Sequence, residues 1–107
     1  MNDFETLLNN RTLCEIQADL CAVFTNPERI RILLVLEDRE MSVSEIADRL
    51  NISMSNLSQH LRLMKDRLCL VSRKEGKNVF YKTASPLFLE AIHLMRQGLK
   101  DAEKNRM

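Results

Sequence analysis

The chain has 107 residues, 45% apolar and 29% charged, with 2 Gly, 2 Pro, 3 Cys and no Trp. That length suits one domain, the apolar share excludes a disordered chain, and so few Gly and Pro argue against an all-β fold with its many tight turns. The formal net charge of +1 points, by itself, to no polyanionic partner.

The N-terminus, Met1-Asn2-Asp3-Phe4-Glu5, is acidic and carries no secretory pattern. No run of about 18 apolar residues is present to span a membrane. Phe4, Leu7 and Leu8 suggest a first turn or two of helix. Thr12-Leu13-Cys14-Glu15 reads as a capping box, so a helix starts or restarts at Thr12 and runs to about Thr25. Continuity through Asn9-Asn10 is left open. Asn26-Pro27 reads as an N-cap followed by Pro at the first helical position. The helix it opens has Ile30, Leu33 and Leu34 on its apolar face and ends near Asp38.

Met41 falls in a short extended link. Ser42-Val43-Ser44-Glu45 is a second capping box, opening a helix with Ile46, Ala47 and Leu50 inward. Asn51 tolerates the left-handed conformation of a tight turn. Ser53 caps the next helix, with Leu57, Leu61 and Met64 inward. Residues 43–66 thus read as a helix-turn-helix. From Leu70 to Lys82, two β-rich arms flank a charged tip with Gly76, which reads as a hairpin. Ser85-Pro86 opens a last helix with Phe88, Ile92, Met95, Leu99 and Ala102 at 3–4 residue spacing. This order predicts a mainly α (α+β) fold, a winged helix-turn-helix in a single domain over 1–107. Its wing is a two-stranded β-hairpin over 70–82, and its terminal helices span about 3–25 and 86–103.

Charge counted by segment changes the picture. Residues 1–52 carry a net charge of −5, residues 53–82 of +5 and residues 83–107 of +1. The basic segment covers the second helix of the pair and the hairpin, the two elements such a fold presents to double-stranded DNA. Candidate DNA-binding residues follow by type. Ser53, Ser55, Asn56, Ser58 and Gln59 are small or amide-bearing groups that reach base edges or phosphates in a major groove. Arg62 and Lys65 lie further along and suit phosphates, while Arg73, Lys74 and Lys77 suit phosphates or a minor groove. His60 reads equally as a residue of core packing or structural hydrogen bonding and as a DNA contact. The first and last helices are not needed for DNA, and their apolar stripes suit homodimerisation, which would set two copies on successive half-sites.

Pro27-Glu28-Arg29-Ile30-Arg31-Ile32-Leu33, Val43-Ser44-Glu45-Ile46-Ala47, Ser53-Met54-Ser55-Asn56-Leu57-Ser58-Gln59-His60-Leu61 and Arg73-Lys74-Glu75-Gly76-Lys77 with Phe80-Tyr81 resemble the ArsR/SmtB family of transcriptional repressors. The resemblance covers roughly residues 13–100. It implies a homodimeric repressor that occupies a DNA operator and is released by an inducer, often a metal ion or a thiol-reactive species. Two family patterns are missing. The helix bearing the arsenic/cadmium Cys-x-Cys pair reads Ser44-Glu45-Ile46-Ala47-Asp48, and the last helix, where a zinc-type site needs a His pair, has only His93. The usual Gly before the hairpin is also absent from Arg67-Leu68-Cys69-Leu70, so that helix must end by another device.

Three cysteines, odd in number and far apart, argue against a disulfide framework and for a reducing cytoplasmic setting. Cys14 and Cys21 are seven residues apart, so their Cα atoms lie about 10 Å apart along one helix, too far to bridge. Each can pair with a thiol of another element or of a partner chain. With Thr12 as N-cap, Cys14 lies in a first turn whose dipole favours a thiolate, making it the leading candidate for a reactive thiol. Sensing by Cys14 and Cys21, with a soft metal, a metalloid such as arsenic or an oxidant as inducer, stands beside simple packing at a helix interface. Cys69 reads as a small buried hydrophobe. A winged-helix module that binds protein is the competing function. No Gly-rich phosphate loop, ligand cluster or acid–base pair points to an enzyme.

Overall fold

The computed structural model describes residues 3–106. Helix α1 (Asp3–Asn9) and helix α2 (Arg11–Cys21) are separated by Asn10, whose side-chain oxygen accepts from the Leu13 N–H at 2.9 Å. The helix start expected at Thr12 therefore lies at Asn10. An amide two residues upstream caps the helix through the Leu13 N–H, and its non-helical backbone breaks the N-terminal stretch in two. After Cys21 the chain tightens into a 3₁₀ turn (Ala22–Thr25).

Helix α3 (Pro27–Leu36) is capped by Asn26, with Pro27 at its first position. It ends at Leu36, two residues before the expected stop, where Glu37 adopts a positive φ of 54°. Strand β1 (Met41–Ser42) leads into helix α4 (Val43–Leu50) through the capping box of Ser42 and Glu45, with both reciprocal bonds present. Asn51 is left-handed, with φ 55° and ψ 49°. Helix α5 (Met54–Asp66) starts on Ser53, whose hydroxyl accepts from the Asn56 N–H.

The device that replaces glycine after α5 is a Schellman closure. The Cys69 N–H donates to the Met64 carbonyl at 2.9 Å and the Leu68 N–H to the Lys65 carbonyl at 3.0 Å, with Leu68 held at φ 68°. Cys69 and Met64, both fully buried, supply the apolar contact across it.

Strands β2 (Leu70–Glu75) and β3 (Asn78–Thr83) form the expected hairpin. Its two-residue tip is Gly76-Lys77, and Gly76 sits at φ +60° in otherwise open space. The demand for glycine there is conformational, as in a II′ turn. The hairpin is extended by β1 into a three-stranded antiparallel sheet of order β1-β3-β2, in which Met41 pairs with Tyr81 and Ser42 with Phe80. The link around Met41 is thus part of the sheet. Helix α6 (Pro86–Lys104) completes the chain.

The core joins Ile32, Leu33 and Leu36 of α3 to Ile46 of α4, Leu57, Leu61 and Met64 of α5, Leu70 of β2, and Cys69. Helix α3 runs through the middle, so Ile32, Val35 and Leu36 are buried along with Leu33, while Ile30 and Leu34 are only partly covered. The terminal helices contribute little. Helices α1 and α2 bury no residue and α6 buries only Ile92. Of the predicted α6 stripe, Phe88 edges the core while Met95 and Leu99 are exposed. The radius of gyration is 16.1 Å, against about 13 Å for a compact chain of this length. The terminal helices stand out from the body.

Candidate nucleic-acid interface

Helix α5 begins in an exposed polar run because its inward positions, Leu57, Leu61 and Met64, leave the intervening residues facing solvent. Ser53, Ser55, Asn56, Ser58, Gln59 and Arg62 are all exposed. The Ser53 hydroxyl is occupied as a cap, lying 3.2 Å from the Asn56 N–H, and Ser55 Oγ lies 3.5 Å from it. The side chains of Asn56, Ser58 and Gln59 remain on the open face.

The wing lies beside this helix. A groove of about 410 Å³ is lined by Ser58, Leu61, Arg62, Lys65 and Asp66 of α5 together with Val43, and by Val79 and Tyr81 of β3. A second, of about 230 Å³, places Lys77 at the wing tip with Ser44 at the start of α4 and Met54 at the start of α5. The first helical turns and the hairpin tip therefore share one face.

The cations of the basic segment divide into two sets. Among the described residues, Arg62, Lys65, Lys74, Lys77 and Lys82 form no ion pair. Two arginines are engaged. Arg67 donates to the Asp19 carbonyl at 3.0 Å, tying the end of α5 to α2. Arg73 donates to both Glu40 oxygens, at 2.7 to 2.9 Å, and to Glu75 at 2.6 Å, and its guanidinium lies 4.6 Å above the Phe80 ring. The Arg73 bonds, reinforced by the charge of Lys82, hold the Glu40 carboxyl below the usual carboxylate range. The same two carboxylates push the Arg73 guanidinium up.

His60 is half-buried, and its Nδ1 lies 3.4 Å from the Arg29 guanidinium, so its place is structural. His93 is exposed on α6. Among the described residues no group of three or more His, Cys, Asp or Glu could hold a metal ion, and no helix is long and apolar enough to cross a membrane.

Cys14 and Cys21 are exposed on the single helix α2. Because Asn10 is the cap, the Cys14 N–H is not free. It donates to the Asn10 carbonyl at 3.0 Å, and the Cys14 thiol lies 3.5 Å from the Leu7 carbonyl. Cys14 thus sits past the turn of unpaired N–H groups expected around it. Cys69 is fully buried, and desolvation pushes its pKa up to about 11.

A helix-turn-helix domain model matches residues 24–68. Over 78 residues the chain is 37% identical to the transcriptional activator HlyU of Vibrio cholerae, covering 73% of this chain and 72% of that one. The solved structure of reduced HlyU superposes with a TM-score of 0.71 at 33% identity, over 81% of this chain and 92% of that one. A homolog of the transcriptional repressor SmtB from Synechocystis is 28% identical over 86 residues, 80% of this chain and 65% of that one. The crystal structure of Rv0081 from Mycobacterium tuberculosis superposes with a TM-score of 0.75 at 29% identity, over 88% and 95% of the two chains.

Proposed function

The chain belongs to the ArsR/SmtB family of winged helix-turn-helix DNA-binding transcriptional regulators, and from that premise we propose that it is a homodimeric repressor that occupies an operator and leaves it when an inducer binds. The observation that carries this reading is the placing of unpaired cations in two adjoining grooves that share Val43 and Val79, Arg62 and Lys65 of α5 in one and Lys77 of the wing in the other, beside an open Ser/Asn/Gln face. Asn56 and Gln59 read base edges, adenine being the base that an amide pairs bidentately. Ser53, Ser55, Ser58 and Arg62 contact the backbone near α5, and Lys74 and Lys77 hold phosphates from the wing.

Two copies meet through the terminal helices. Phe4, Leu7 and Leu8 of α1, Ile16 of α2, and Leu94, Met95 and Leu99 of α6 are each about half exposed or more, a large apolar surface for one small chain. The inducer acts on Cys14 and Cys21, which stand on that same terminal region, through a soft metal, a metalloid or an oxidant. The setting is the cytoplasm.

Selection of duplexes from a randomised DNA pool tests the reading. The wild-type protein should recover an inverted repeat. Asn56→Ala and Gln59→Ala should relax the sequence preference, each by about 1 to 3 kcal/mol at the base it reads. Failure to enrich any sequence would overturn it.

A further inference from the structure

The sequence marks Arg73 as a DNA contact, to phosphates or in a minor groove. We infer instead that Arg73 is a positioning residue, clamping the wing across the whole three-stranded sheet so that Lys74 and Lys77 meet the DNA. The inference rests on the DNA-binding reading above and assigns a different role to one residue within it.

Strand alternation separates Arg73 from its neighbour. Val79 and Tyr81 line the groove shared with α5, so Phe80 between them belongs to the opposite face of the sheet. Arg73 is paired with Phe80 and Lys74 with Val79. Lys74 therefore lies on the face turned to α5, and Arg73 on the face turned away.

The reach of Arg73 explains what it does there. It starts on β2, crosses over the Phe80 ring on β3, and ends on Glu40, immediately before β1. With strands about 4.8 Å apart, one side chain spans all three. The fork on Glu40 is bidentate, and Glu75 takes a third donor direction. Arg73 is committed to two carboxylates, and Lys82 adds its charge at Glu40, so this corner has no surplus positive charge to offer a phosphate. Among the described residues, the backbone ladder between β1 and the hairpin is two residues long, Met41 and Ser42 with Tyr81 and Phe80. Such a short ladder holds the angle of the wing weakly, and the clamp braces it.

The test is salt-dependent binding of full-length protein to a duplex recovered from the randomised pool. Each lost phosphate contact lowers the slope of log affinity against log salt by about 0.9. Arg73→Ala should weaken binding roughly threefold to tenfold and leave the slope unchanged, because the unbraced wing still brings Lys74 and Lys77 to phosphate and the loss is only that of ordering it on the DNA. Arg73→Lys keeps the charge and loses the fork, so it should fail nearly as badly. Glu40→Gln removes a negative charge from a DNA-binding protein, which by charge alone tightens binding, yet the clamp predicts weaker binding. A slope reduced by about 0.9 in Arg73→Ala, recovery in Arg73→Lys, tighter binding in Glu40→Gln, or no effect of any of the three would each overturn the inference. If Lys74→Ala and Lys77→Ala change neither affinity nor slope, it is the DNA-binding reading that falls, whatever Arg73 does.

Discussion

Arg29 on α3 lies 3.4 Å from Nδ1 of His60 on α5, and the same guanidinium donates to the carbonyls of Val23 and Ala22, each at 3.1 Å. A single side chain thus ties α5 to the turn that follows Cys21. The three bonds use the fixed fork of arginine, and lysine has no equivalent geometry. Arg29→Ala should lower stability by about 2 kcal/mol, because two carbonyls lose a charged donor. His60→Ala should cost about 1 kcal/mol. Urea denaturation of both variants checks the order. Equal, negligible losses would mean that the link carries no load.

The terminal helices make a prediction about assembly. Leu99 is 69% exposed in the single chain, so Leu99→Glu should change monomer stability by no more than about 0.5 kcal/mol. In the proposed homodimer it would place a carboxylate in an apolar interface. Sedimentation should find the variant monomeric and its operator affinity reduced by more than about tenfold, since half-sites then bind singly. A dimeric Leu99→Glu protein would exclude this face.

The three thiols should separate by reactivity. Cys14 and Cys21 are exposed and Cys69 is buried, so a thiol reagent near neutral pH should label two sites in the native chain and the third only on unfolding. For Cys69 the sign with pH is fixed by linkage. Its folded pKa, about 11, lies above the ordinary thiol value of 9.0, so the folded state holds the proton longer. Its contribution is therefore constant below about pH 9 and is lost as pH rises from 9 towards 11. Stability should fall over that window less steeply in Cys69→Ala than in the wild type. For sensing, arsenite or peroxide should release DNA from the wild type and not from the double variant Cys14→Ser, Cys21→Ser. Release from both would make the two cysteines structural.

Local caps set the element boundaries, and one of them offers a direct measure. The Ser42 hydroxyl caps α4 at the point where β1 ends, and its reciprocal bond with Glu45 holds that carboxyl below its usual range. Ser42→Ala should cost about 1 kcal/mol by denaturant titration. A cost near zero would mean that water replaces the cap.

The residues that were legible in the sequence carry local signals. Asn26-Pro27, the Ser42–Glu45 box, Asn51, Ser53 and Ser85-Pro86 each act within four residues, and each stands where it was expected. What escaped depends on competition or on distance. Asn10 and Thr12 are both capping types two residues apart, and only geometry chooses between them. Leu68 is a poor left-handed residue, and the closure from Cys69 to Met64 imposes that conformation on it. Strand β1 is two residues long, too short to display an alternation. The composition of the candidate interface was readable because residue types suited to base edges and to phosphates cluster in one segment. The capture of Arg73 by Glu40, 33 residues away, was not, since only the sheet brings them together.

The central claim is that the free cations of α5 and the wing bind the DNA backbone. Its most direct measure is the salt slope of duplex binding for the wild type and for the double variant Lys74→Ala, Lys77→Ala. The account predicts a steep wild-type slope that falls by about 1.8 per protomer in the double variant, with the preferred sequence unchanged. A slope identical in the two proteins would contradict it.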